Sequence, residues 1–134
     1  MEYLIGFGLA LAAALFARFT GLERDRAFYP TVMIVIALTY GLFAVMGGSM
    51  SALALESVAI VGFILVSVLG YKINPWFVVA ALAAHGIYDF FHPHLLTNPG
   101  VPVWWPGFCL TYDVTAAGYL AWLLRRGQAT GAHQ

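Results

Sequence analysis

Five apolar runs, each about as long as a bilayer crossing, occupy this chain almost from end to end. They extend from about Tyr3 to Phe19, Phe28 to Met46, Ala52 to Gly70, Pro75 to Phe91 and Gly107 to Leu124. A helix of ~17–25 apolar residues spans the hydrocarbon core, and a lone helix satisfies its own backbone hydrogen bonds there. The chain therefore reads as all-α: an integral membrane bundle of about five transmembrane helices, a single domain over residues 1–126, with 127–134 as a flexible tail. Composition agrees. Hydrophobic residues make up 62% and charged residues 9% of the 134. A soluble domain this small buries too little of its surface to hide that much apolar area, so the lipid bilayer is the expected partner.

Charge placement orients the bundle. Arg18, Arg24 and Arg26 fall between the first two runs, Lys72 between the third and fourth, and Arg125 and Arg126 after the fifth. With five spans all six lie on one side, which the positive-inside rule assigns to the cytoplasm. The N-terminus, the Gly47–Ser51 turn and the proline-rich segment 92–106 then face outward, and the C-terminus is cytoplasmic. The run from Leu9 to Ala17 has the look of a signal peptide, but Glu2 precedes it and Arg18 follows it. That charge order predicts a retained helix. Formal net charge is zero and no basic stripe exists, so nucleic acid is not an expected partner. The lone Cys109 excludes an internal disulfide and any cysteine-rich zinc motif. Tyr29, Tyr71, Trp76 and Trp122 on one side, and Tyr3, Trp104 and Trp105 on the other, match the aromatic belts of membrane interfaces. Ala80, Ala81, Ala83 and Ala84 in the fourth run and Ala116, Ala117 and Gly118 in the fifth predict close contact of these two helices.

Ionisable residues inside spans cost ~2.5–3.5 kcal/mol each at the bilayer centre and persist where something offsets that cost. The fourth run ends His85-Gly86-Ile87-Tyr88-Asp89-Phe90-Phe91-His92-Pro93-His94. His85, Asp89 and His92 recur at i, i+4 and i+7, one stripe of a helix. Asp113 lies about six residues into the fifth run, ~9 Å deep at ~1.5 Å per residue, His85 at a similar depth, and Glu56 four or five residues into the third. Three helices thus bring acids and imidazoles to one layer. Imidazole with carboxylate, and no thiolate, suits zinc first, with iron or manganese as further candidates. The expected ligands are His85, His92 and Asp113, with Asp89 as a fourth ligand or as a carboxylate that orients a ligating histidine. Glu56 and Asp89 are the candidate catalytic groups, Glu56 as general base for a metal-activated water. Tyr88 and Tyr112 stand beside the cluster as hydrogen-bond donors. The alternative is a metal-free pairing of His85 with Glu56 or Asp113, with His92 and His94 solvated past the helix end. Cys109, one turn before Asp113, either lines the pocket or packs.

The stretch His85-x3-Asp89-x2-His92, Asn98-Pro99 and Cys109-x3-Asp113 resembles an uncharacterised family of small bacterial integral membrane proteins, known as a domain of unknown function. The likeness covers about thirty residues and implies a bacterial inner-membrane location. Pro93 stands where the family has adjacent histidines, so either His92 or His94 fills the role of the second histidine. The chain is also faintly similar, by analogy, to the membrane hydrolases that include alkaline ceramidases, which hold zinc with histidines and an acid near one face. Three functions follow. The first is a metal-dependent hydrolase acting on a lipid-like substrate. The second is an accessory or structural subunit of a larger photosynthetic or respiratory membrane complex, with other subunits or a homo-oligomer as partners and His85 ligating a haem or chlorophyll-type pigment. The third is a proton relay or transporter, which the one-sided placement of the polar groups supports least.

Overall fold

The computed structural model describes residues 1–95 and 97–126. The expected tail, with His133, lies outside the described residues. Five helices account for the architecture: α1 (Glu2–Thr20), α2 (Phe28–Met46), α3 (Met50–Lys72), α4 (Trp76–Leu95) and α5 (Trp105–Arg125), with a 3-10 turn at Leu22–Arg24 and no strand among the described residues. Helices α1, α2 and α3 are long and apolar enough to cross a membrane. Helices α4 and α5 match them in length, at 20 and 21 residues, and owe their lower hydropathy to the polar residues they carry inward.

The helix ends are set locally. α1 stops at Gly21, whose φ of 82° is open to glycine and strained for other residues. The backbone N–H of Ala27 donates to Asp25 Oδ1 just before α2. Ser49 caps α3, accepting from the Ala52 N–H at 3.1 Å. Pro106 sits in the first turn of α5, where its missing N–H costs nothing. The alternating direction of the helices gathers the cations at one end, called here the basic end. Arg26 donates to the Tyr71 and Lys72 carbonyls, while Arg18 and Arg126 both approach the Trp122 ring.

The helices pack most extensively as α4 on α5, α1 on α5 and α2 on α3, with α3 also against α4. The α4–α5 contact agrees with the small-residue pattern, although its members divide. Ala81, Ala116 and Ala117 are buried between the helices, whereas Ala80, Ala84 and Gly118 face outward. α1 meets α5 along a stripe of Gly6, Ala10, Ala14 and Ala17, all buried. A Cβ added at Gly6 would lie 2.3 Å from the Phe108 carbonyl oxygen, so this crossing requires glycine. Tyr29, Met33, Ile36 and Ala37 of α2, Val78, Ala81 and Leu82 of α4, and Leu120, Leu123 and Leu124 of α5 form one apolar core in the basic half. Leu4, Leu15, Phe19, Val35, Leu42, Val58, Leu65, Ile87 and Phe90 point outward. This is the inverted surface of a protein bathed in lipid.

The fourth helix differs from expectation at its end. It runs on to Leu95, with Pro93 inside it, where the sequence predicts loop from residue 92. Proline removes one N–H, here the partner of the Asp89 carbonyl, and strains the preceding turn, yet the helix continues past it. The fifth helix begins two residues early, at Trp105. Both shifts shorten the connecting loop and place His92 on a helix.

Candidate functional site: two coupled polar centres

Above the apolar core, in the half away from the cations, the buried acids and imidazoles of the described residues fall into two hydrogen-bonded groups. Depth follows from position. Tyr40 and Asp89 each lie six residues from the loop end of their helices, about 9 Å at ~1.5 Å per residue, Asp113 eight residues in, and His85 ten, hence about 15 Å deep. The layer therefore reaches the middle of a ~30 Å hydrocarbon core. It is deeper than the sequence implied, because α4 and α5 extend further toward the loop.

The deeper centre is His85, Asp89 and Asp113. All three are buried, at 1%, 0% and 0% exposure. His85 Nδ1 stands 2.7 Å from Asp113 Oδ2 and 3.4 Å from Asp89 Oδ2, and one ligand atom from each of the three fits within a 4.8 Å span. Tyr40 donates its hydroxyl to Asp89 Oδ1 at 2.8 Å. Asp89 Oδ2 and Asp113 Oδ1, both buried, have no hydrogen-bond partner among the described residues. An unpartnered buried polar atom costs about 1–3 kcal/mol. Two carboxylates separated by up to 4.8 Å would also repel by roughly 3 kcal/mol at an effective dielectric constant near 20. A divalent cation cancels both costs, since two carboxylates, a neutral imidazole and a 2+ ion sum to zero. The spacing also fits. Tetrahedral ligands at ~2.0–2.1 Å from zinc lie about 3.4 Å apart, which the His85–Asp89 pair already matches, the His85–Asp113 pair reaches by opening about 0.7 Å, and the two carboxylates, up to 4.8 Å apart, reach by closing up to about 1.4 Å.

The shallower centre is Glu56, His92, Tyr88 and Asn98. Glu56 is fully buried and its carboxylate gathers three partners. Tyr88 donates to Oε1 at 2.6 Å, Asn98 Nδ2 donates to Oε2 at 2.8 Å, and His92 Nε2 lies 2.5 Å from Oε2. Asn98 also donates to the Tyr40 carbonyl at 3.0 Å, which ties the loop to α2. Gly100 then seats the loop so close that a Cβ there would fall 1.7 Å from the Phe43 carbonyl oxygen.

The Tyr40 ring joins the two centres. It stacks on His92 with centroids 3.9 Å apart and planes within 10°, and lies 6.1 Å from the His85 ring. Phe63 closes the other side of His85, edge-on at 4.7 Å.

His85, Asp89 and Asp113 thus come together as the sequence suggested, while His92 turns to Glu56 and is not part of the trio. The reason is axial rise. Residues i and i+7 share a stripe but stand two turns apart, about 10.5 Å, too far to share one ion with ligands ~2 Å from it. Glu56 accordingly partners His92 rather than His85. Tyr88 is a donor as expected. Tyr112 is not within the network and lines an apolar groove with Phe28, Val32 and Ile36. Cys109 is buried beside the layer, and His94 is exposed. Sequence reasoning missed the part played by Tyr40 and gave Asn98 only as part of the Asn98-Pro99 motif, with no role in the network. Tyr40 reads as lying below the cluster, yet counting from the loop end of the second apolar run puts it six residues in, level with Asp113 by the same count. Asn98 carries no such signal beyond being the one amide beside the loop's prolines.

Comparison of the chain with family models, curated proteins and solved structures returns no match.

Proposed function

We propose that this chain is a metal-dependent membrane enzyme, a hydrolase of a lipid-like substrate, with His85, Asp89 and Asp113 as the metal ligands. The observation that carries the reading is a fully buried trio in which two carboxylates flank one imidazole and each keeps an oxygen without a hydrogen-bond partner among the described residues. Oxygen and nitrogen donors favour zinc, with iron or manganese next. An ion held there would supply Lewis-acid polarisation of water or carbonyl oxygen. The protein's own residues supply the rest. Tyr40 fixes the Asp89 carboxylate, the Glu56–His92 pair accepts and releases protons above the trio, and Asn98 and Tyr88 hold Glu56 in place. In this reading the basic end is cytoplasmic in a bacterial inner membrane, the N-terminus is outside, and substrate reaches the centres from the outer side.

The test is elemental analysis of the purified protein beside His85→Ala and His94→Ala. About one equivalent of metal is expected in the native chain and in His94→Ala, and less than about a tenth of that in His85→Ala. Native protein that folds and carries no metal would end the reading.

A second reading, an accessory subunit of a larger membrane complex or a homo-oligomer, draws support from α3, most of whose surface faces outward. A haem or pigment on His85 has the least support. His85 is 1% exposed and enclosed by the rings of Tyr40, Phe63 and Tyr88, all of which a macrocycle would displace.

A further inference from the structure

A cavity of about 360 Å³ opens at the loop end, lined by His92, Pro93, Thr97, Asn98, Val101, Pro102, Val103 and Pro106. Its size falls in the ~300–1,000 Å³ range of small-molecule sites. We propose that it binds a neutral amphiphile: a molecule with an apolar body and one hydroxyl or N–H-bearing amide group, whose hydrogen is read by His92.

Three observations carry this. First, the walls divide by chemistry. Three prolines and two valines provide rigid apolar surface, and His92, Asn98 and Thr97 provide the polar atoms. Second, the polar atoms are largely committed already. Both amide hydrogens of Asn98 have acceptors, Glu56 Oε2 and the Tyr40 carbonyl, and His92 Nε2 is bound to Glu56. The remaining ring nitrogen of His92, Nδ1, has no hydrogen-bond partner among the described residues. A buried carboxylate behind one ring nitrogen orients the imidazole and leaves the other nitrogen to meet a ligand. The cavity thus offers His92 Nδ1 and the Thr97 hydroxyl as hydrogen-bonding positions rather than a polar shell. Third, none of the lining residues is a lysine or arginine, and all six cations of the chain lie at the opposite end or in its loops. A phosphate or carboxylate headgroup would enter with no counter-charge, a costly burial, whereas a neutral group enters without that cost.

The inference rests on the proposed hydrolase reading only in calling the bound molecule a substrate. Binding itself does not require a metal at His85. Val101→Cys protein in lipid nanodiscs provides the test, alkylated with a water-soluble maleimide in the presence of monooctanoylglycerol or of octyl phosphate. Buried Cys109 serves as the internal zero. At about ten times its half-effective concentration, monooctanoylglycerol should slow alkylation about ten-fold, because only the empty fraction reacts, and octyl phosphate should leave the rate unchanged. No slowing, or equal slowing by both, overturns the proposal. A second measurement uses the native sequence. The ring ¹⁵N signals of His92 should move on addition of monooctanoylglycerol while those of exposed His94 stay in place, and a static His92 also overturns it. Metal content of the same samples separates the two claims. Protection without metal removes the hydrolase reading and keeps the cavity, and metal without protection does the reverse.

Discussion

Replacing Tyr40 by Phe removes one oxygen atom and leaves the ring stack on His92 intact. The lost group is the donor to Asp89 Oδ1 at 2.8 Å. Asp89 Oδ2 is already unpartnered, so the variant leaves a fully buried carboxylate with no hydrogen-bond donor from Tyr40 and only His85 nearby. Two independent magnitudes converge. A hydrogen bond to a charged group contributes about 1.5–3 kcal/mol. A residue that orients a metal ligand is worth about 10–100-fold in affinity, equivalent to about 1.4–2.8 kcal/mol. Metal affinity of Tyr40→Phe, measured by competition with a chromophoric chelator, should therefore fall by about 10–100-fold. The ring is retained, so the folded state should otherwise match the native one in helical content and in elution from a sizing column. Unchanged affinity in a properly folded Tyr40→Phe protein would show that the hydroxyl does not hold Asp89, and the coupling of the two centres through α2 would fail with it.

Other perturbations act on separate parts of the structure. Glu56→Ala strips three buried or half-buried donors of their shared acceptor. It should destabilise the bundle by about 3–5 kcal/mol, as does breaking a buried charged pair, read as a drop in the thermal midpoint in detergent. Gly100→Ala drives a Cβ into the Phe43 carbonyl and should cost about 1–3 kcal/mol, with faster proteolysis in the segment from Thr97 to Val103 as the local sign. Gly6→Leu forces α1 from α5 at the Phe108 carbonyl, so it should lower thermal stability while the metal content of the folded fraction stays at the native level. His94→Ala touches no buried partner and should stay within about 0.5 kcal/mol of the native stability. A larger change in any direction would put His94 inside the network.

Much of the fold was legible because lipid is a demanding solvent. Apolar runs of spanning length leave a chain little choice but helix, so α2 occupies the residues its hydropathy indicates, and α1 and α3 differ by one or two residues at each end. The ends of α4 and α5 were less legible. Proline and polar residues at the interface look like loop in a one-dimensional reading, and Pro93 costs the helix a single hydrogen bond that tertiary contacts outweigh. In the site, depth arithmetic located His85, Asp89, Asp113 and Glu56 in one half of the bundle. It could not pair them, since pairing depends on helix rotation and on axial rise together. The i, i+7 spacing of His85 and His92 looked like one site and instead serves two, a turn apart on each side of Asp89. Asn98 stood out only through the Asn98-Pro99 motif, and its bond to Glu56 was not legible because a loop amide acquires such a role only when Gly100 anchors the loop against α2.

The four-residue stripe through which α1 meets α5 has a consequence for how the molecule is organised. No side chain of α1 enters either polar centre, and its buried face consists of one glycine and three alanines. Both polar centres are thus housed in α2 through α5 and the loop between α4 and α5, and the first helix acts as a sheath along the outer flank of α5. Such a sheath can change on its lipid-facing side without touching either centre, but not along the stripe, where a larger side chain meets the backbone of α5. The outward-facing residues of the amino-terminal helix are therefore the part of this protein freest to drift, while Gly6 and its three alanines are held by the crossing.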